Sequence, residues 1–145
     1  MEKKYVDYAI EKVKDLLAIP SPTGYTNNIA QKVCSDFEAM GYNAYITNKG
    51  GVFVDLGANK GGEGIILSAH VDTLGAMVSK IKPNGHLGVV PVGGLNPNNI
   101  ETEFCTVVTK SGRQLSGTFQ LTNASVHVNK DYSSSVRTFD NIEIV

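Results

Sequence analysis

Only two cysteines occur among the 145 residues, and Cys34 and Cys105 stand far apart with no C-x-x-C pattern. A small secreted domain would usually carry several pairs, so a disulfide scaffold is excluded and two small buried thiols are expected. An excess of one charge is missing as well. Thirteen Lys and Arg face 14 Asp and Glu, the formal net charge is -1, and no basic run exceeds a pair. Nothing in that pattern suits a polyanion, which removes nucleic acid as a partner. No apolar run approaches the roughly 20 residues of a membrane span. The opening stretch MEKKYVDYAIEKVKDLL is broken by Asp7, Glu11 and Lys14, so it reads as neither signal peptide nor anchor. A cytoplasmic chain without a membrane partner is the expectation. Repeats and low-complexity segments are absent too.

What is present is enough for a core: 41% of the residues are hydrophobic. Tyr5, Ala9, Val13, Leu16 and Leu17 form one stripe, which predicts an amphipathic helix over residues 4–18. It must stop at Ile19-Pro20-Ser21-Pro22, because proline cannot continue a helix and restricts the residue before it. Thr26 or Asn27 can cap a second helix with Ile29, Ala30, Val33, Phe37 and Met40 on its inner face. Gly41 would supply its left-handed end.

From Tyr42 the period changes to two. YNAYIT, the turn NKGG and VFVDL predict a hairpin, with Tyr42 and Tyr45 at opposite parity. GANKGGEG has no G-K-[ST] and no strand-to-helix context, so it reads as a solvated connection and not a phosphate loop. GIILSA, residues 64–69, is a continuous apolar run that suits a central strand covered on both faces. Two helices, a hairpin and a buried strand make an α/β layer. After residue 75 the composition shifts to short alternating runs: AMVSKI, LGVVPV, FCTVVT, QLSGTFQL and ASVHV. Turn signals separate them, which indicates a small barrel or sandwich. The expected boundary is Leu74-Gly75.

At that boundary ILSAHVDTLG places His70 and Asp72 two residues apart, on one face if the chain stays extended. An imidazole at a sheet's carboxyl edge can bind a divalent ion, and a nearby carboxylate can fix its orientation. Taken alone, an H-x-D triplet is more often a surface pair or a hydrogen-bonded strand end, so spacing leaves all three readings open.

The ordered segments LLAIPSPTGYT, GYNAYITNKGGVFVDLG, IILSAHVDTLGAMV, IKPNGHL, VGGL, GTFQLTNASVHVN and RTFD span essentially the whole chain. Together they resemble the N-terminal part of the dinuclear-metal aminopeptidases related to glutamyl aminopeptidase, a family also labelled cellulase M or endoglucanase. The resemblance implies a two-metal exopeptidase acting on peptides, in which His70 is a metal ligand and Asp72 the catalytic-site carboxylate that orients the metal shell. The ions would be zinc or cobalt. It also implies that residues 1–74 begin the α/β catalytic domain. Residues 75–145 would be an incomplete β-rich, PDZ-like insertion used for homo-oligomer assembly.

The family's other ligands, a bridging aspartate, a glutamate pair, a further aspartate and a final histidine, lie downstream of the matching region. This sequence has no E-E pair, and His70 and Asp72 alone hold at most a partial site. The isolated chain is therefore expected to be inactive without a downstream complementing polypeptide. The alternative is a non-catalytic assembly or interaction module with a vestigial half-site. Glycoside hydrolysis would need two carboxyl groups flanking a sugar bond, and no such pair stands out.

Other polar residues carry bland expectations. His86 in PNGHL reads as exposed, and His127 should face opposite to Val126 and Val128 on a strand. Ser21 has no base near it in sequence. Glu101, Glu103, Asp131 and Asp140 read as solvated charges.

Overall fold

The prolines after Ile19 do end a helix: α1 runs from Lys3 to Leu17. A computed structural model describes residues 2–57 and 61–145, and the chain divides into two compact units, Met1–Leu74 and Gly75–Val145. Residues 58–60 of the glycine-rich connection lie outside the described residues.

In the first unit α1 is amphipathic, yet none of its residues is buried. Only Leu16 of the expected stripe is half-covered. Helix α2, Asn27–Ala39, carries the unit's core instead, burying Ile29, Ala30 and Cys34. Val33 and Phe37 are half-buried and Met40 is exposed, so the inner face sits closer to the helix start than expected. Thr26 occupies the N-cap position without a side-chain cap. Lys12 of α1 reaches Asp36 of α2 at 3.2 Å.

The far end of α2 closes as a Schellman motif. Gly41 has φ 88°, its N–H donates to the Glu38 carbonyl at 2.9 Å, and the Tyr42 N–H donates to the Phe37 carbonyl at 3.0 Å. Phe37 and Tyr42 meet edge to face at 6.2 Å, the apolar contact that usually accompanies this cap. The hairpin follows: β1, Asn43–Ile46, pairs antiparallel with β2, Val52–Asp55, and Tyr45 lies opposite Phe53. Ala44 is its buried residue, in the layer under α2.

The central strand expected over residues 64–69 does not form. Those residues belong to no strand, and Ile65, Ile66 and Leu67 are 90%, 86% and 83% exposed. The cause is a missing ladder partner. Among the described residues β1 and β2 pair only with each other, and an apolar run becomes a strand only when neighbouring backbone takes its hydrogen bonds.

The second unit is one five-stranded antiparallel sheet. Its strands are β3 (Gly75–Ile81), β4 (Leu87–Val92), β5 (Phe104–Val108), β6 (Gln114–Leu121) and β7 (Ile142–Ile144), in the spatial order β3-β4-β7-β6-β5. Two hairpins, β3–β4 and β5–β6, are thus joined through the short β7. Four of the five expected strands are present. ASVHV is not one: residues 126–128 form a turn with Val126 and Val128 exposed, so the alternation predicted for His127 is absent. Central strand β7 went unnoticed in sequence because it has three residues and a charge in the middle. The core is Val89, Ile100, Phe119, Leu121, Ile142 and Ile144.

Candidate functional site

Ser21-Pro22-Thr23-Gly24-Tyr25 makes a tight turn, with the Tyr25 N–H donating to the Pro22 carbonyl at 2.7 Å. Gly24 has φ 86°, the left-handed value that a type II turn needs at its third residue. Pro22 enters a parallel bridge with Thr73, and the Thr73 N–H donates to the Ser21 carbonyl at 3.0 Å. Ser21 itself is fully buried. Its hydroxyl donates to the Val71 carbonyl at 3.0 Å and lies 3.4 Å from Thr73 Oγ1. The turn therefore clasps residues 71–73 through backbone and side chain together.

Two further bonds act on the H-x-D pair. The Thr23 hydroxyl donates to Asp72 Oδ2 at 2.8 Å. On the other oxygen, Asp72 Oδ1 lies 3.0 Å from His70 Nδ1. The Thr23 hydrogen bond and, after it, the His70 contact hold the Asp72 carboxyl below its ordinary value of 3.8. An ionised carboxylate can only accept, so Nδ1 of His70 is the donor in this pair, and in the neutral ring the lone pair then lies on Nε2. The His70 side chain is 86% exposed, which leaves Nε2 free to meet an ion or ligand.

His70 and Asp72 are thus brought together, whereas His86 and His127 belong to the other unit. The donor set is consistent with one imidazole ligand backed by a carboxylate. It is not a whole site: among the described residues no group of three or more His, Cys, Asp or Glu is placed to hold a metal ion.

Over most of its length the chain is similar to known proteins. The family model described as M42 glutamyl aminopeptidase matches residues 50–145, a stretch that includes both His70 and Asp72. The chain belongs to the M42 glutamyl aminopeptidase family. A relative in Bacillus subtilis (strain 168), YhfE, named as a candidate aminopeptidase, is 38% identical over 135 residues, covering 93% of this chain and 39% of its own length. Among solved structures, aminopeptidase APDkam598 from the archaeon Desulfurococcus kamchatkensis superposes with TM-score 0.81 at 24% identity, covering 97% of this chain and 37% of that one. PhTET1-12s, a dodecamer in its asymmetric unit, superposes with TM-score 0.76 at 27% identity, covering 94% and 38%. The chain therefore spans about two-fifths of the length of these proteins (39%, 37% and 38%).

Two other polar clusters correct the bland expectations. Glu101 is not solvated: it accepts from Arg137 Nε at 2.6 Å and from the Tyr132 hydroxyl at 2.9 Å, with the guanidinium over the Tyr132 ring. Arg137 also donates to the carbonyls of Tyr132 and Ser135, so this cluster pins the loop before β7. His86 is half-buried, its Nδ1 2.8 Å from Glu143 Oε1, and Lys82 takes the other oxygen of that carboxylate. Glu103, Asp131 and Asp140 are exposed as expected. Ser21 and Thr23 are the site residues that sequence reasoning missed. Their signal lay in the PSPTG segment, but nothing in linear spacing pairs Thr23 with Asp72.

Proposed function

We propose that this chain is the N-terminal part of a metal-dependent aminopeptidase that removes residues from the amino end of peptides. The single observation that carries the reading is the Asp72–His70 pair at 3.0 Å, inside the stretch matched by the M42 family. In this reading Asp72 accepts the His70 Nδ1 proton and fixes the ring, and Nε2 is the ligand atom for a divalent ion such as zinc or cobalt. A bound ion would supply Lewis acidity and lower the pKa of its water. The chain's own residues hold and orient one ligand; further ligands and a carboxylate base come from polypeptide outside this chain. Residues 1–74 belong to the catalytic domain and residues 75–145 to a PDZ-like insertion for assembly. The dodecamer of PhTET1-12s supports self-association.

The alternative, a non-catalytic assembly module, draws support from the incomplete donor set among the described residues. One experiment separates the two readings. Zinc content and release of the N-terminal residue from a peptide are measured on the chain alone, then after adding the remaining portion of a full-length relative. The aminopeptidase reading expects no release alone, release on complementation, and loss of both zinc and release with His70→Ala. If His70→Ala leaves complemented release and zinc content unchanged, the site assignment is wrong. No release under any complementation favours the assembly module.

A further inference from the structure

We propose that Thr23 is a positioning residue for the H-x-D pair: its hydroxyl pins one oxygen of Asp72 so that the other takes the His70 Nδ1–H. The inference rests on the reading of His70 as a ligand through Nε2. It goes beyond that reading by naming the residue that makes the geometry persist on an exposed surface.

The need for such a residue follows from exposure. His70 is 86% exposed and the Asp72 side chain 40% exposed, so water competes for both groups. An unrestrained Asp side chain would turn freely about its two torsions, and an exposed pair gains little from attraction alone. Thr23 removes one of those freedoms with a 2.8 Å bond to Oδ2. Thr23 is itself held. It sits between Pro22, bridged to Thr73, and Gly24, whose φ of 86° closes the turn. Buried Ser21 ties the same turn to the carbonyl of Val71, the residue between His70 and Asp72. A rigid turn thus carries a hydroxyl to the outer oxygen of the carboxylate. Which ring nitrogen is free for a ligand is fixed by the hydrogen bond that the other nitrogen makes. Thr23 therefore acts on His70 through Asp72 and touches no ligand itself.

The test reads the tautomer directly, without activity. Long-range proton–nitrogen correlation spectra of the His70 ring are recorded on 15N-labelled, metal-free chain at about pH 8, above the ordinary imidazole value of about 6.5. Wild type should carry the proton on Nδ1. Thr23→Val should shift the ring towards a mixture with the proton on Nε2, and Thr23→Ser should restore the wild-type pattern. Zinc ion, titrated against the same signals, should bind about tenfold more weakly to Thr23→Val, the low end for losing a ligand's support. The Thr73 amide, bonded to Ser21, reports whether the clasp survives; if Val disrupts it, Thr23→Ala against Thr23→Ser makes the same comparison. A wild-type tautomer in the Val or Ala variant, with Asp72→Asn shifted, overturns the role of Thr23 and leaves the pair standing. A tautomer unmoved by Asp72→Asn overturns the pair itself. Zinc bound equally by His70→Ala overturns the ligand reading, while the tautomer still judges Thr23.

Discussion

Glu143 stands in the middle of β7 with 3% of its surface exposed, its carboxylate shared by Lys82 and His86 from the β3–β4 turn. Burial alone would push its pKa up, but the bonds to Lys82 and His86 outweigh that and hold it below the ordinary 4.5. A depressed carboxylate stabilises the fold above its unfolded value, and that contribution is lost as pH falls through the depressed one. The second unit should therefore lose stability on acidification below 4.5, and Glu143→Gln should flatten that slope. Near neutral pH the same variant should cost about 1.5–3 kcal/mol, the usual worth of a hydrogen bond to a charged group. Urea unfolding at several pH values, followed by far-ultraviolet circular dichroism, measures both. At this scale the sequence was legible where chemistry is local: the H-x-D spacing, the glycine at 41, the buried Cys34. It was illegible where a partner lies far along the chain. Asp72 meets Thr23 and Glu143 meets Lys82 only because the fold brings them together.

Among the elements, β6 and β7 approach each other closely because Gly117 has no side chain. A Cβ there would lie 2.5 Å from Ile144 Cγ2 and 3.2 Å from the Val145 carbonyl oxygen. Gly117→Ala should accordingly destabilise the sheet by about 1–3 kcal/mol through overpacking, read as a lower urea midpoint at unchanged slope. Helix α1 lies at the other extreme, with no buried residue. Its amides should exchange with solvent orders of magnitude faster than those of β6 and β7, a contrast that hydrogen-exchange mass spectrometry resolves. Both helices, the first hairpin and four strands of the sheet were readable from periodicity and turn residues, since those signals are local. GIILSA was misread because its period matches a buried strand, while strand formation depends on backbone neighbours that periodicity does not encode. Strand β7 was missed for the converse reason: IEI alternates over only three residues, too few to mark a strand, and is ordered by β4 and β6 on either side.

For the molecule as a whole, the distribution of apolar surface is uneven. The second unit gathers a continuous core, whereas the first leaves Ile65, Ile66 and Leu67 at 90%, 86% and 83% exposure. Such a run favours self-association. Purified chain should form concentration-dependent oligomers, and Ile66→Lys should reduce them; light scattering coupled to size exclusion tests this, and a monomer at every concentration contradicts it. The sheet order has a consequence in time as well as in space. Strands β3 and β4 can pair as soon as both exist, and so can β5 and β6, because each pair is joined by a short turn. Only β7, the last of these strands to be synthesised, can join the two halves, and its partners in β4 lie more than fifty positions earlier. A nascent chain would hold two open hairpins until three residues, Ile142, Glu143 and Ile144, arrive. Joining them is the long-range event on which the folding rate of this sheet should depend.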